Sequence, residues 1–144
     1  MSLVYRYRPL ASRGTPIKRP IIEMELINGD KHFTTKALID SGADTCAISS
    51  NMADALGMDL NGKRGTSLGV SGSVESVSRE INIKLSGAHE SYILKVPVKV
   101  LFVDENESGS FVPLLGRAVL FDSFKITFEQ KRSKVVLKPE TDFV

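Results

Sequence analysis

The residues most suited to chemistry in this sequence lie in one short loop, Asp40-Ser41-Gly42. An apolar run, Ala37 to Ile39, precedes the loop, and a second, Cys46 to Ile48, follows it. A carboxylate directly after a buried strand is costly unless a hydrogen bond or a charge compensates it, and Gly42 lets the backbone turn there. A catalytic carboxylate fits this pattern, and so does an Asx-type turn closed by its own side chain. The loop by itself leaves both interpretations open.

The composition favours one globular domain without a strongly charged partner. The chain has 144 residues, of which 42% are hydrophobic, and its net charge of +2 gives no strong case for nucleic acid. The single cysteine, Cys46, excludes an internal disulfide. We see no signal peptide and no apolar run long enough to span a membrane, so we expect a cytoplasmic protein. His32 and His89 are isolated, so we expect neither a metal nor a cofactor.

The chain divides into three parts. Residues 1–20 contain five basic residues, no acidic residue and three prolines, which favours an extended N-terminal arm over a packed element. This arm is interpreted as a solvated tail, with an anion-binding arm or an arm that pairs with a partner subunit as alternatives. Residues 21–138 form the folded domain, and residues 139–144 form a C-terminal tail.

The hydrophobic pattern predicts a mostly β fold with one or two short helices. Alternation over 21–27 and 32–39, joined by Asn28-Gly29, predicts a hairpin whose second strand ends at the Asp40 loop. Short helices are predicted near 50–56, capped by a serine or asparagine, and near 117–122. A small-residue hairpin over 66–74 and a final hairpin within 124–137 complete the pattern, which is typical of a small barrel or sandwich.

Three segments together resemble the retropepsin-like branch of the aspartic peptidases. The first is the apolar run followed by Asp40-Ser41-Gly42-Ala43, and the second is Pro113-Leu114-Leu115-Gly116-Arg117. The third is the glycine-bearing hairpin around Val70-Ser71-Gly72, which falls where that family has its flap. A flap opens for substrate and closes over it, so a soft hairpin suits this role. The resemblance covers residues 21–138 and implies an acid protease barrel closed by homodimerisation.

The resemblance also implies a role for individual residues. It implies a catalytic loop, a set of substrate-binding residues and a supporting pair: Asp40, Ser41 and Gly42 for catalysis; Ala43, Asp44, Val70, Ser71 and Gly72 for substrate; Gly116 and Arg117 for support. In the family, the hydroxyl at the position of Ser41 bonds across the dimer, and residues at the positions of Asp44 and Arg117 form an ion pair.

The sequence contains this loop once, whereas two-lobed aspartic peptidases carry it twice. Glu107-Ser108-Gly109 imitates it, but no apolar strand precedes those residues. The resemblance therefore implies an endopeptidase in which a homodimer supplies Asp40 twice, acting on extended polypeptides, with no nucleic acid or membrane as partner. Two alternatives stay open. One is a noncatalytic peptide-binding or dimerisation module of the same fold, and the other is a precursor whose basic arm must be removed.

Overall fold

The computed structural model describes residues 2–10, 16–69, 72–103 and 111–141. The strands are β1 Leu3–Arg6, β2 Arg8–Leu10, β3 Ile17–Arg19, β4 Ile21–Asn28, β5 Lys31–Ile39, β6 Cys46–Ser49, β7 Gly65–Gly69, β8 Gly72–Ser86, β9 Ser91–Leu101, β10 Leu114–Leu115, β11 Phe124–Glu129 and β12 Lys134–Pro139. The helices are α1 Ser50–Ala55, α2 Leu120–Ser123 and a 3₁₀ turn at Gln130–Arg132. None of the described helices has the length and apolar content that crossing a membrane requires. The predicted mostly β fold with short helices is confirmed.

The largest sheet closes on itself to form a barrel. Its strand order is β4-β5-β10-β6-β9-β8-β7, and β4 also pairs with β8, where Leu26 lies opposite Ile83. Because β4 pairs with β5 along one edge and with β8 along the other, the strands from β4 to β8 form a closed barrel. β7 pairs with β8 outside this closed part. The other described strands form a three-stranded sheet, β1-β12-β11, and the antiparallel pair β2-β3.

Alternating side chains fill the interior of the barrel. On β4, Ile22, Met24 and Leu26 are almost completely buried, whereas the intervening Glu23 is exposed. The long strands β8 and β9 continue this inner face with Ile81, Ile83, Leu85, Leu94, Val96, Val98 and Val100. Each such side chain contributes about 1.5–3 kcal/mol to folding, so the alternation seen in the sequence supplies the core of the domain.

The turn between β4 and β5 determines where Asp40 emerges. Asn28 lies opposite Lys31, which leaves Gly29 and Asp30 as a two-residue connection, and Gly29 has a φ of +63°. Glycine adopts this left-handed conformation at little cost. Since a two-residue turn fixes the register of a hairpin, it also fixes the position at which β5 ends and Asp40 begins. The predicted hairpin is confirmed.

The helix after β6 begins and ends as predicted. Ser49 is its N-cap, and the Ser49 hydroxyl accepts a hydrogen bond from the backbone N–H of Met52 at 3.2 Å. Gly57 follows the last turn with a φ of +65°, the usual geometry of a helix C-terminus. This helix anchors the far end of the strand that leaves the Asp40 loop.

The second helix starts later than the predicted 117–122. It spans Leu120–Ser123, because Val119 has a φ of +70°, which an α-helix does not accommodate. The backbone N–H groups of Arg117 and Ala118 instead donate hydrogen bonds to the carbonyls of Ala43 and Asp44, each at 2.9 Å. The residues predicted as the first turn of a helix therefore hold the Asp40 loop.

The start of the chain is part of the packed fold. Leu3 pairs with Leu137 on β12 and is only 1% exposed, and Tyr7 is also buried, with its N–H donating to the carbonyl of Ser133 at 2.7 Å. The prediction of an extended arm without packing is therefore wrong for residues 3–7. The basic residues and prolines of this segment favoured an unpacked arm. Its alternate side chains, Leu3, Tyr5 and Tyr7, nevertheless pack against the core.

This packing predicts that the first strand contributes to stability. Leu3→Ala should lower the free energy of unfolding by about 2–5 kcal/mol, because it leaves a cavity in the hydrophobic core. Ile93→Ala, at a strand position that is 59% exposed, should cost much less and serves as the matched control. Urea denaturation at one protein concentration measures both variants. Equal losses in the two would contradict a buried role for Leu3.

Candidate active site

The loop that carries Asp40 is held in place by β10, a strand that is distant from the loop in sequence. β10 runs parallel to β5 and antiparallel to β6, so it lies between the strand that enters the loop and the strand that leaves it. The N–H of Leu38 donates to the carbonyl of Pro113 at 2.9 Å, and the N–H of Asp40 donates to that of Leu115 at 3.0 Å. These bonds fix the backbone of Asp40 up to its own N–H.

Within the loop, the Asp40 carboxylate is oriented by the backbone. Its Oδ1 accepts a hydrogen bond from the N–H of Gly42 at 2.9 Å, and the N–H of Ala43 donates to the Asp40 carbonyl at 3.2 Å. A Cβ on Gly42 would approach Oδ1 to 3.2 Å, closer than most side chains allow. The Asx-type bond that the sequence suggested is thus present. It engages one of the two carboxylate oxygens and fixes the direction of a half-buried acid.

Gly116 makes the closest approach between the loop and the strand beside it. A Cβ at this position would lie 2.8 Å from the backbone nitrogen of Thr45 and closer still to its carbonyl group. The two backbones could not keep this separation with any other residue at position 116. Together with the bonds from Arg117 and Ala118 to Ala43 and Asp44, the contact fixes the second half of the loop.

The ion pair predicted between Asp44 and Arg117 is present. Nη2 of Arg117 lies 2.5 Å from Oδ1 of Asp44. The two side chains are 56% and 84% exposed, so the pair contributes at most about 1 kcal/mol to stability. Its local effect is that the positive charge of Arg117 compensates the negative charge of Asp44, four residues after Asp40.

A groove of about 450 Å³ begins at the loop. Residues 42–45 line one part of it, and the strand side chains Ala47 and Leu114 line it beside them. The predicted substrate-binding residues Ala43 and Asp44 therefore face this groove. Clefts that combine apolar walls with a few polar groups are the usual binding sites of proteins.

The β7–β8 hairpin and β9 contribute the rest of the groove. Ser67 and Leu68 come from the hairpin, and Leu68 is 87% exposed. Gly72 pairs with Gly69 at the end of the hairpin, with a φ of +120°, and is exposed. The structure thus brings this hairpin to the Asp40 loop, while the predicted contacts Val70 and Ser71 lie outside the described residues.

Both the sequence and the fold of this chain are similar to those of known proteins. A family model described as aspartyl protease matches residues 24–119, which include the Asp40 loop, the hairpin and Gly116. The chain belongs to the aspartyl protease family. A solved structure of the retroviral EIAV protease, in complex with the inhibitor HBY-793, is similar to it, with 26% identity and a TM-score of 0.51. That match covers 73% of this chain and 88% of the EIAV chain. No curated protein sequence matches significantly.

These matches confirm the retropepsin-like fold that the motifs implied. Ser41 is exposed beside Asp40, at the surface of the loop. Glu107-Ser108-Gly109, rejected above as a second loop, lies outside the described residues. The sequence of this member of the aspartyl protease family contains the Asp-Ser-Gly motif once, at residues 40–42.

Cys46, the other reactive residue type near the loop of this aspartyl protease homologue, has a packing role. It is 3% exposed, and burial raises the pKa of its thiol, an effect that a hydrogen bond with the Gly116 backbone partly opposes. A thiol with a raised pKa is a poor nucleophile. Among the described residues, no three His, Cys, Asp or Glu side chains lie close enough to hold a metal ion together.

Sequence reasoning missed the part of the groove that β9 supplies. Lys99 and Leu101 line it, because β9 runs parallel to β6 and places Lys99 beside Ala47. In the sequence, apolar and polar residues alternate over 98–100, a pattern that puts Lys99 on the face opposite to Val98 and Val100. This pattern did not indicate which strand would lie alongside, since parallel neighbours are set by the folded topology.

The close contact at Gly116 predicts that a side chain at this position strongly lowers the stability of the protein. Gly116→Ala should destabilise the protein by about 3 kcal/mol, because its methyl group would overlap the Thr45 backbone. Gly65→Ala is the matched control, since a Cβ there meets nothing within 4 Å and the residue has no left-handed φ. Thermal and urea unfolding compare the two variants. A Gly116→Ala protein as stable as the control would contradict the close approach.

Proposed function

We propose that this protein is an aspartic endopeptidase that hydrolyses peptide bonds in extended polypeptides. The observation that supports this proposal best is the rigid loop that carries Asp40, because residues 42–45 of the same loop line a groove bordered by a hairpin. Catalytic groups need such fixed geometry, since a small misplacement costs a large part of the rate. Membership of the aspartyl protease family supports the same reaction class.

The active unit proposed is a homodimer. The chain holds the Asp-Ser-Gly loop once, and the chemistry below needs two carboxylates. A twofold axis next to the loop supplies the second, because an isologous interface places the same residue of each protomer at the axis. The exposed hydroxyl of Ser41 then faces its counterpart's loop and holds the two loops together, the role that the family resemblance implies.

The two Asp40 carboxylates share one proton, as in the aspartic-protease dyads that are the standard example of such a pair. The ionised carboxylate removes a proton from water, and the water oxygen attacks the carbonyl carbon of the peptide bond. The protonated carboxyl group donates its proton to the carbonyl oxygen. The tetrahedral intermediate then collapses, the C–N bond breaks, and the leaving nitrogen receives a proton from the dyad.

The loop contacts supply the positioning that this mechanism requires. The N–H of Gly42 fixes Oδ1 of Asp40, so the carboxylate does not have to reorganise when the water loses its proton. Gly116 and Arg117 keep the other half of the loop in place from β10. Ala43 and Asp44 bind the substrate backbone, and the β7–β8 hairpin, with Val70, Ser71 and Gly72, is the flap that covers it.

A second candidate function is a noncatalytic peptide-binding or dimerisation module. The hydrogen bond between Asp40 and the N–H of Gly42 favours it, because that bond gives the carboxylate a structural purpose. Such a module would bind extended peptides in the same groove without turnover. Cleavage by the purified protein separates the two functions.

The first test is the removal of the acid. Asp40→Asn should keep the fold, since an amide oxygen still accepts from the N–H of Gly42, but should lower cleavage of an unfolded test protein by about 10²- to 10⁴-fold or more. Asp54→Asn, an exposed carboxylate on α1, is the matched control and should cleave normally. Cleavage is followed by mass spectrometry of the products.

The same variant tests the shared site. Mixing wild-type protein with an excess of Asp40→Asn should suppress activity, because mixed dimers contain one ionisable carboxylate at the axis instead of two. Sedimentation of the mixture verifies that the subunits exchange. Activity that stays proportional to the amount of wild-type chain would exclude a site shared between two protomers.

The shared proton predicts the direction of the pH dependence. Raising the pH ionises both carboxylates, which removes the acid that must protonate the carbonyl oxygen, so kcat/KM should fall above neutrality and be higher on the acidic side. The measurement is a kcat/KM profile from about pH 3 to about pH 9, with circular dichroism at each pH to show that the protein is folded. A profile that rises into alkaline conditions would exclude the mechanism.

A further inference from the structure

Lys99 places a positive charge in the groove that leads from the Asp40 loop. It lies on β9 between the buried Val98 and Val100, so its side chain leaves the opposite face of the sheet. That face carries Ala47, its neighbour on β6, and Leu101, which also lines the groove. Among the described residues that line the groove, Lys99 is the one cation.

The charge of Lys99 has no acidic partner among the described residues. Its Nζ donates a hydrogen bond to the hydroxyl of Ser78 at 2.6 Å, a neutral acceptor that holds the side chain without cancelling its charge. Glu80 is two residues farther along β8 on the same face, yet no ion pair joins it to Lys99 in the described structure. The other charged residue of the groove, Asp44, is already neutralised by Arg117.

Beyond Ser78 the surface remains positive. Lys63, Arg64 and Arg79 line a shallow depression of about 240 Å³ that also includes Ser78. The charge of Arg64 is met by Glu75 at 2.8 Å. The Arg79 guanidinium donates to the backbone carbonyls of Asp59, at 2.9 Å, and Asn61, which leaves its charge uncompensated. Among its described lining residues the groove therefore has one cationic anchor, Lys99, and the field around that anchor favours anions.

We propose that Lys99 selects substrates with an acidic side chain, Asp or Glu, close to the cleaved bond. This inference rests on the proposed peptidase function and adds a specificity to it. A carboxylate that enters the groove replaces the neutral Ser78 hydroxyl as the acceptor of the Nζ bond. The donor and the acceptor then both carry a charge, which makes the bond stronger. A lysine or arginine in the substrate would meet a like charge and be rejected.

The proposed twofold symmetry extends this selectivity to both sides of the cleaved bond. Each protomer contributes one Lys99, and the axis relates the two groove halves to equivalent positions of the substrate on either side of the scissile bond. An acidic side chain is therefore favoured at two positions, equally far from the cleaved bond toward the N-terminus and toward the C-terminus.

The test starts from one peptide that the wild-type protein cleaves in a digest of an unfolded protein. Each position around the cleaved bond is replaced in turn by Glu, Gln and Lys, and kcat/KM is measured. Glu should exceed Gln by about ten- to a hundredfold at the two symmetric positions, the contribution of a charged hydrogen bond. Lys99→Met should reduce this ratio to about one, and Lys99→Glu should make Lys the favoured residue there.

Lys95→Met is the matched control, because Lys95 lies on the same face of β9 but outside the groove, opposite Asn82. It should keep the Glu preference of the wild type. Cleavage with no Glu preference, or a preference that survives Lys99→Met, would overturn the role of Lys99 and leave the peptidase function standing.

Peptide binding separates the two proposals when cleavage fails. Fluorescence anisotropy with the Asp40→Asn protein measures, without turnover, the affinity for three labelled unstructured peptides of one arbitrary sequence that differ only in carrying Glu, Gln or Lys at the same central positions. Tighter binding of Glu peptides that is lost in the Asp40→Asn/Lys99→Met protein supports the Lys99 site even if the wild type cleaves nothing, which would overturn only the peptidase function. Equal binding of all three peptides, or none at all, overturns the Lys99 site.

Discussion

The close approach of β10 to the Asp40 loop is the contact on which the rest of the structure depends. β10 is only two residues long, yet it pairs with β5 on one side and β6 on the other and so joins the two halves of the barrel. At its end, Gly116 lies against the Thr45 backbone where no side chain fits. A loop that must hold a carboxylate at a fixed point is thus stabilised mainly by backbone contacts, which have fewer alternative conformations than long side chains.

The charged side chains around the loop differ in whether a partner of opposite charge compensates them. Asp40 is held by a backbone N–H, which orients it and leaves its charge uncompensated, whereas Asp44, four residues later, is paired with Arg117. Lys99 is held by a hydroxyl, which likewise orients the side chain without neutralising it. Groups that bond to neutral partners keep their electrostatic field for a ligand. Asp40 and Lys99 therefore keep an uncompensated charge, whereas the charge of Asp44 is compensated by Arg117.

Local signals in the sequence predicted most of the fold and part of the site. The β4–β5 hairpin, the alternation of β4 and the cap at Ser49 depend on neighbouring residues, and all three are confirmed, with the turn one residue later than predicted, at Gly29-Asp30. The ion pair of Asp44 with Arg117 was accessible through the family resemblance. Features set by distant partners were not accessible. Leu3 is buried by a strand near the other end of the chain, and Lys99 reaches the groove through its pairing with Ala47.

The pairing of β1 with β12 has a consequence for how the protein folds. Leu3 meets Leu137, so the connecting chain must be brought into a closed loop of more than a hundred residues before β1 can pair with β12. Contacts of this separation form late and slow the folding of β proteins. During synthesis on the ribosome, β1 cannot pair with β12 until β12 has been synthesised. The interval leaves an apolar strand without its partner and makes the nascent chain a candidate for chaperone binding.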